Sequence, residues 1–358
     1  MSFGFSIVIC CYNSAKRLPE TLKHIAKLDI PPSVPCELII VNNASTDNTE
    51  EVVHEEWGRY SSPVNLQVVF EKNPGLTEAR KKGFGSARYE YILFCDDDNW
   101  LQKDYLAICY KILKDRPDIG VLGGYGEPVF EVDPPGWFHY FNEVKLIAIG
   151  PQASKSGPVK SKLVYGAGSV YKKTAYQLLQ FEEYEFNLTG RQGKKFTSGE
   201  DYELCLATYL NGYEIWYEPK LRFKHFIPSS RLTREYAEKY LIESAECLLI
   251  LNPYSIACRT GHKPSGLFSF YFHYIKNILH LAKKVLIHRI NILKLGKTSD
   301  TGIANMLHLH HYKFMLKSSI NNISPSRKIY QWANDLKVKF GEQVKKEQIN
   351  STLVAESV

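Results

Sequence analysis

Three consecutive carboxylates, Asp96-Asp97-Asp98, follow the apolar run YILFC. Like charges a few ångströms apart repel and raise each other's pKa, so such a triplet is costly unless a cation relieves it. Carboxylate oxygens are hard ligands that suit Mg2+ or Mn2+, ions commonly shared between one or two carboxylates and the phosphates of a substrate. Alternate side chains of an extended segment point the same way, which pairs Asp96 with Asp98 toward a ligand and turns Asp97 aside. An acidic turn, with Asp98-Asn99 capping the next element, fits the same residues. A second acidic pair, Glu200-Asp201 in SGEDYEL, stands at an expected helix start, where carboxylates complement the helix dipole.

The elements that must position these groups alternate in type. Apolar runs predict strands over Phe5 to Cys11, Cys36 to Asn42, Leu66 to Phe70, Tyr91 to Cys95 and Gly120 to Gly123. Between them amphipathic patterns predict helices over Pro19 to Leu28, Thr49 to Trp57, Leu76 to Gly85 and Asp104 to Lys114. Runs such as SIVICC, LIIV and YILFC are apolar throughout rather than alternating. Strands of that kind are buried on both faces, which implies a mainly parallel sheet with helices on each side. Ligands of such sheets bind beyond the carboxyl ends of the strands, so Tyr12-Asn13, Asn42-Asn43, Asn73-Pro74-Gly75 and the aspartate triplet are where chemistry is expected. Residues 124 to 165 are rich in Pro and Gly and read as a flap, in which Trp137, Phe138 and Tyr140 either stack on a ligand or pack on the protein. Regular structure resumes at LVYGAGSVY, followed by helices from Lys173 to Leu179 and from Glu200 to Asn211-Gly212, a strand at Ile215 to Tyr217 and an extended segment Leu221 to Phe226.

With 358 residues, 44% of them hydrophobic, the chain is long enough for one large domain and an appendage. Its eight cysteines show no CxxC pairing, several lie in apolar runs and no signal peptide precedes them. They read as reduced core residues and predict a cytoplasmic protein. The net charge of +7 is unevenly distributed: residues 221 to 358 carry 21 basic and 9 acidic side chains, and no Asp or Glu occurs between Glu246 and Asp300. Such a bias suggests an anionic neighbour. The run from Leu267 to Leu295 is broken by too many His, Lys and Arg residues for a membrane span. It fits either a basic helix lying on a membrane surface or a helical subdomain packed on the core.

Several segments, in one consistent order over residues 4 to 230, resemble glycosyltransferase family 2. SIVICCYNSAKRLPETL resembles that family's first strand and nucleotide loop, VNNASTDNT its VDDGSTDNT segment, NPGLTEARKKGF its N-x-G-x-x-x-A-R-N-x-G segment, FCDDDN its DXD motif and SGEDYEL its ED motif. The resemblance implies the GT-A fold: a Rossmann-like, mostly parallel α/β sheet with helices on both faces. Here it is followed by a C-terminal helical extension. Residues 1 to 230 become the expected transferase domain, with 1 to 123 its nucleotide half and 124 to 230 its acceptor half, and 231 to 358 the basic helical region.

The resemblance also implies roles. Cys11, Tyr12 and Asn13 are expected to line the base and ribose pocket, and Asn43 stands where the family has an aspartate that reads the base. An amide oxygen still accepts a hydrogen bond there, but the NH2 adds a donor. Arg80 matches an arginine near the nucleotide, able to pair bidentately with phosphate or with the aspartates. Asp98, with Asp96 and His225, is expected to hold Mn2+ or Mg2+, Asp96 and Asp97 to contribute to the donor site, and Gly166-Ala167-Gly168 to lie near donor phosphates and acceptor. Asp201 is the expected base, assisted by Glu200, and Arg231 the residue that offsets charge on the departing diphosphate.

The implied activity is inverting transfer of a sugar from a nucleotide-diphospho-sugar, UDP-linked first of all, to a hydroxyl. A phosphate acceptor is already an anion and needs no base, so the ED motif favours a sugar or other hydroxyl acceptor, and the basic C-terminal third together with the resemblance suggests a glycan or lipid-linked glycan made for a cell-surface polysaccharide. The expected partners are that donor, that acceptor and an anionic inner-membrane surface, with no nucleic acid. A sugar-1-phosphate nucleotidyltransferase is the rival enzyme, but CCYNSAKR lacks the glycine-rich loop expected of one. A binding protein without turnover is the non-enzymatic alternative, against which the intact acidic motifs and Arg80 speak.

Overall fold

The computed structural model describes residues 2–61, 64–141, 148–181, 187–188, 190 and 198–355. In chain order, strands β1 (Phe5–Cys11), β2 (Cys36–Asn42), β3 (Asn65–Phe70) and β4 (Tyr91–Phe94) alternate with helices α1 (Leu18–Ile25), α2 (Thr49–Trp57) and α3 (Leu76–Ser86). The short β5 (Asn99–Leu101), α4 (Tyr105–Leu113) and the long β6 (Ile119–Phe130) come next, then α5 (Gly136–Phe141), β7 (Gly157–Pro158), β8 (Val170–Lys172) and α6 (Lys173–Phe181). The second acidic motif opens α7 (Glu200–Leu210), which leads into β9 (Glu214–Ile227). Four long helices complete the chain: α8 (Arg234–Cys258), α9 (Leu267–Leu295), α10 (Asp300–Asn321) and α11 (Ile323–Ala355).

The sheet runs β3-β2-β1-β4-β8-β6-β9-β5, with β7 beside β9. Strands β1 to β4 pair in parallel, β8 lies antiparallel to both β4 and β6, and β6 and β9 are parallel. Both faces are covered, as the unbroken apolar runs require. Phe5, Ile7, Ile9 and Cys11 of β1 pack on one face with Leu18 and Leu22 of α1 and Leu106 and Cys109 of α4. Val8 points the other way, toward Ala79 and Phe84 of α3 and Cys205 and Ala207 of α7. This is the mixed α/β arrangement with a mostly parallel sheet, flanking helices and C-terminal helices.

Two local expectations are corrected and one left open is decided. Strand β6 does not stop at Gly123 but continues to Phe130, because β9 runs alongside it from Glu214 to Ile227 and pairs with the Pro-containing stretch as far as Phe130–Ile227. The partner strand, remote in sequence, overrides the local loop composition. Within LVYGAGSVY only Val170 onward is strand; Gly168 turns with φ 67°. Trp137 and Phe138 are packing residues, buried with Ile227, Leu241 of α8 and Leu307 of α10, whereas the side chain of Tyr140 lies outside the described residues.

The C-terminal helices are continuous with this body. Leu206 and Leu210 of α7 share a core with Leu251 and Tyr254 of α8, Phe270 and Tyr274 of α9 and Tyr330 of α11. Lys337 of α11 is buried and ends the first of these helices: its Nζ donates to the carbonyls of Ala257 (2.6 Å) and Lys263 (3.0 Å). Thr260 Oγ1 also donates to both carbonyls (3.3 and 2.7 Å), so two side chains hold the turn that follows α8.

Candidate active site

At the carboxyl ends of β1, β2 and β4 a cleft of about 380 Å³ opens, closed on its far side by the start of α7 and by α8. Cys11, Tyr12, Asn43, Arg80 and all three aspartates line it, as do Glu200, Asp201, His225 and Arg231. Residues expected at the site from separate motifs thus converge on one cavity. Asn13 is absent from its lining. The Asn13 backbone turns through φ 51°, its side chain accepts from Thr46 N (2.8 Å) and its own N–H donates to Ser45 Oγ (3.1 Å). It ties the loop after β1 to the loop after β2.

The three aspartates have different surroundings. Asp97 is turned into the protein, where its carboxylate accepts from Ser14 Oγ and from Arg17 (2.6 Å). Its backbone carbonyl accepts from Thr21 of α1 (2.8 Å). These bonds anchor the turn. Asp98 is buried and meets β9: Asn99 of β5 pairs in antiparallel register with His225. That register places His225 Nε2 3.7 Å from Asp98 Oδ1 and Arg231 3.4 Å from Asp98 Oδ2. Asp96 faces the cleft beside them.

Burial and the neighbouring Asp98 charge push the Asp96 and Asp97 carboxyls upward, with Arg80 opposing this at Asp96 and Arg17 at Asp97. Burial also lowers His225, outweighing the pull of Asp98. Neutral His225 fits its contacts: Nδ1–H donates toward the Ala148 carbonyl at 3.4 Å, which leaves Nε2 facing Asp98 and Arg231. The buried Asp98 and the partly exposed Asp96, whose repulsion a cation relieves, beside a neutral imidazole nitrogen, are donors of the kind that fits Mn2+ or Mg2+. Among the described residues no three His, Cys, Asp or Glu side chains are grouped so as to hold a metal ion by themselves. An ion here would complete its shell with phosphate oxygens and water, the usual habit of Mg2+.

Asn43 is buried and its amide is fully engaged with the loop 71–75. Nδ2 donates to the carbonyls of Glu71 (3.2 Å) and Asn73 (2.7 Å), and Oδ1 accepts from Gly75 N (2.8 Å). An aspartate could not donate to those carbonyls, which accounts for the departure from the expected acid. Asn43 shapes the pocket wall.

Arg80 pairs with Glu200 at 2.8 Å, and both are largely buried. Burial alone would lower the arginine, but Glu200 and then Tyr171, Asp201 and Asp96 outweigh it and hold the guanidinium charged. The pair joins α3 to the first turn of α7. Beside it, Asp201 accepts from Gly166 N at 2.6 Å through Oδ2 and from Tyr202 N at 2.9 Å through Oδ1. Gly166 leaves little room: a Cβ there would lie 2.7 Å from the Arg80 guanidinium and 3.0 Å from Asp201 Cβ. Both acids of this motif border the cleft: Glu200 is buried and holds α7 through Arg80, and Asp201 is the more exposed of the two.

Sequence reasoning missed two groups. Ser14 and Arg17 fix Asp97, and the signal for Arg17 was the cationic pair Lys16-Arg17 just after the first strand. Tyr240, Leu248 and Leu251 of α8, with Tyr202 of α7, wall the cleft beyond Asp201. No local motif marks the α8 residues, since they resemble any apolar helix face.

The chain is similar to known glycosyltransferases. Residues 6–178 match the family model for glycosyl transferase family 2. The chain is 25% identical over 229 residues to a poly-beta-1,6-N-acetyl-D-glucosamine synthase of Staphylococcus epidermidis, covering 63% of this chain and 51% of that protein. It is 27% identical over 213 residues to glycosyltransferase GlyA of Streptococcus pneumoniae, covering 57% of this chain and 28% of that one. The chain thus spans about half the length, or less, of these relatives. Among solved structures, the mannosyltransferase PcManGT of Pyrobaculum calidifontis, in complex with GDP-Man and Mn2+, superposes with a TM-score of 0.52 at 15% identity, over 95% of this chain and 86% of that one. The shared fold is GT-A.

Proposed function

We propose that this chain, which belongs to glycosyl transferase family 2 through residues 6–178, transfers a sugar from a nucleotide-diphospho-sugar to a hydroxyl of a glycan or lipid-linked glycan, with inversion at the anomeric carbon. The observation that carries the reading is the placement of Asp201 across one cleft from Asp96 and Asp98. A base facing a cation-binding acidic turn suits a reaction in which one group activates the nucleophile and another neutralises the leaving group.

In this mechanism Asp201 takes the proton from the acceptor hydroxyl as its oxygen attacks the anomeric carbon on the face opposite the nucleotide. The backbone N–H groups of Gly166 and Tyr202 hold its carboxylate in place, and the Arg80–Glu200 pair holds the helix start that carries it. Arg231, beside Asp98, offsets the negative charge that grows on the diphosphate. Asp98, with Asp96 and His225, would hold a Mn2+ or Mg2+ ion, whose chemistry here is charge neutralisation of the diphosphate. Tyr12 and Cys11 border the nucleotide end, and the wall of Tyr202, Tyr240, Leu248 and Leu251 borders the acceptor end.

The name of the Staphylococcus epidermidis relative supports an N-acetylhexosaminyl-type donor and a cell-surface polysaccharide product. UDP-sugars are therefore the first donors to test, followed by GDP- and dTDP-sugars. Eight thiols without a paired motif support the cytoplasm as the compartment. We assign residues 1–230 as the transferase domain, with 1–123 and 124–230 as its donor and acceptor halves, and 231–358 as the helical region that completes the acceptor side.

The test is Asp201→Asn, which keeps an oxygen to accept from Gly166 but removes the base. Transfer in Mn2+ should fall by about 10²–10⁴-fold while donor affinity, measured by calorimetry, stays near that of the unmodified protein. Retained transfer would remove Asp201 from the mechanism.

A further inference from the structure

Helix α9 is amphipathic in the reverse of the usual sense. Toward the protein it turns Phe270, Tyr274 and Leu281, but also Asn277, which donates to Asn252 of α8 (2.7 Å), and His288 and Asn291, which share the Asn305 oxygen of α10 (2.8 and 3.1 Å). Outward it turns Phe268, Phe272, Ile275, Leu279, Leu286, Ile290 and Leu293, all exposed, with Phe268 and Leu293 at 85%. At 3.6 residues per turn and 1.5 Å per residue these seven fall within an arc of about 60°, a stripe about 38 Å long. Lys276, Lys283 and Lys294 flank one margin and Arg289 the other, all exposed to solvent. Soluble chains rarely leave an apolar stripe of this length uncovered.

We infer that α9 lies along the surface of an anionic phospholipid bilayer, its apolar stripe in the acyl boundary and its flanking cations at the headgroups. The charge pattern selects this occupant over a second copy of the chain. A two-fold pairing of the stripes would set the rows of Lys and Arg against one another, and no Asp or Glu occurs between Glu246 and Asp300 to relieve them. Anionic headgroups supply the missing charge, and long Lys and Arg stems reach them while their methylenes stay in apolar surroundings. The inference is independent of the transferase reading: it concerns where the protein sits.

The test is cosedimentation of the full chain at physiological salt with vesicles of equal parts phosphatidylcholine and phosphatidylglycerol, and with phosphatidylcholine alone. Two variants accompany it: Phe268→Gln/Leu279→Gln/Leu293→Gln, which removes the stripe, and Lys276→Gln/Lys283→Gln/Arg289→Gln/Lys294→Gln, which removes its margins. All seven positions are exposed, so circular dichroism and thermal unfolding should match the unmodified protein. The unmodified chain should pellet with the anionic vesicles only, and each variant should lose affinity on the order of 100-fold. Donor hydrolysis without vesicles should be unchanged in both variants, which separates a failure of docking from a failure of the transferase reading. Binding that survives loss of the stripe, an unmodified chain that stays in the supernatant, or a solution dimer that the stripe variant makes monomeric would each overturn the inference.

Discussion

The Arg80–Glu200 pair offers a test that separates two roles for one arginine. The two are 120 residues apart, meet at 2.8 Å, and expose only 11% and 8% of their side chains. Removing one partner of such a pair strands the other charge in a poorly hydrated site, at a cost of about 3–5 kcal/mol. Replacing both with apolar groups of similar size leaves no stranded charge and is close to neutral. Arg80→Met and Glu200→Leu should therefore each lower unfolding stability by about 3–5 kcal/mol, whereas the double variant should recover to within about 2 kcal/mol of the unmodified protein, as read from urea denaturation. The coupling between the sites is then several kcal/mol. All three variants should lose transfer by about 100-fold or more, because the pair sets the start of α7 and a shift of about 1 Å at Asp201 is enough. Donor affinity should change much less. If Arg80→Met instead leaves stability within about 1 kcal/mol and abolishes donor binding, the arginine serves the donor phosphates and the positioning argument fails.

Three further outcomes rest on single contacts. Asn43→Asp, a change toward the acid expected from the family resemblance, should destabilise by about 1–3 kcal/mol, since it sets a carboxylate against the carbonyls of Glu71 and Asn73; equal or higher stability by thermal unfolding would contradict the clamp. Gly166→Ala should fold, at a cost of about 1–3 kcal/mol, yet lose transfer, because the new methyl crowds the Arg80 guanidinium and Asp201 Cβ; unimpaired kinetics would show that the cradle is loose. Burial holds His311 neutral and depresses its pKa below the usual 6.5, against the hydrogen bond to the Leu241 carbonyl. Its contribution to stability is fully present above the unfolded value of about 6.5 and is lost as pH falls through the lower folded value. His311→Gln should accordingly flatten the acid side of the stability curve, and an unchanged slope in pH-dependent unfolding would argue against the assignment.

Much of the fold was legible in the residues because its signals are local. The seven residues of β1 and of β2, and the nine of α2, lie where apolar runs and turn residues put them, and SGEDYEL opens α7 as its acidic start suggested. The acidic motifs likewise declared themselves, since three adjacent aspartates need a charge-relieving partner wherever they are placed.

The pairings between distant segments were decided by the tertiary structure alone. Propensity at 124–130 reads as loop, and only the neighbouring β9 makes it strand. The antiparallel register of Asn99 with His225 gives Asp98 its imidazole and its arginine, the docking of α7 against α3 pairs Arg80, expected to meet phosphate or the aspartates, with Glu200, and α8 supplies a wall that no motif announces. The periodicity of α9 showed a basic amphipathic helix, but not which face would be turned outward. Local sequence sets the conformations a segment prefers and the chemistry it carries; packing decides which of those groups meet, because a contact across a hundred residues depends on every element between them.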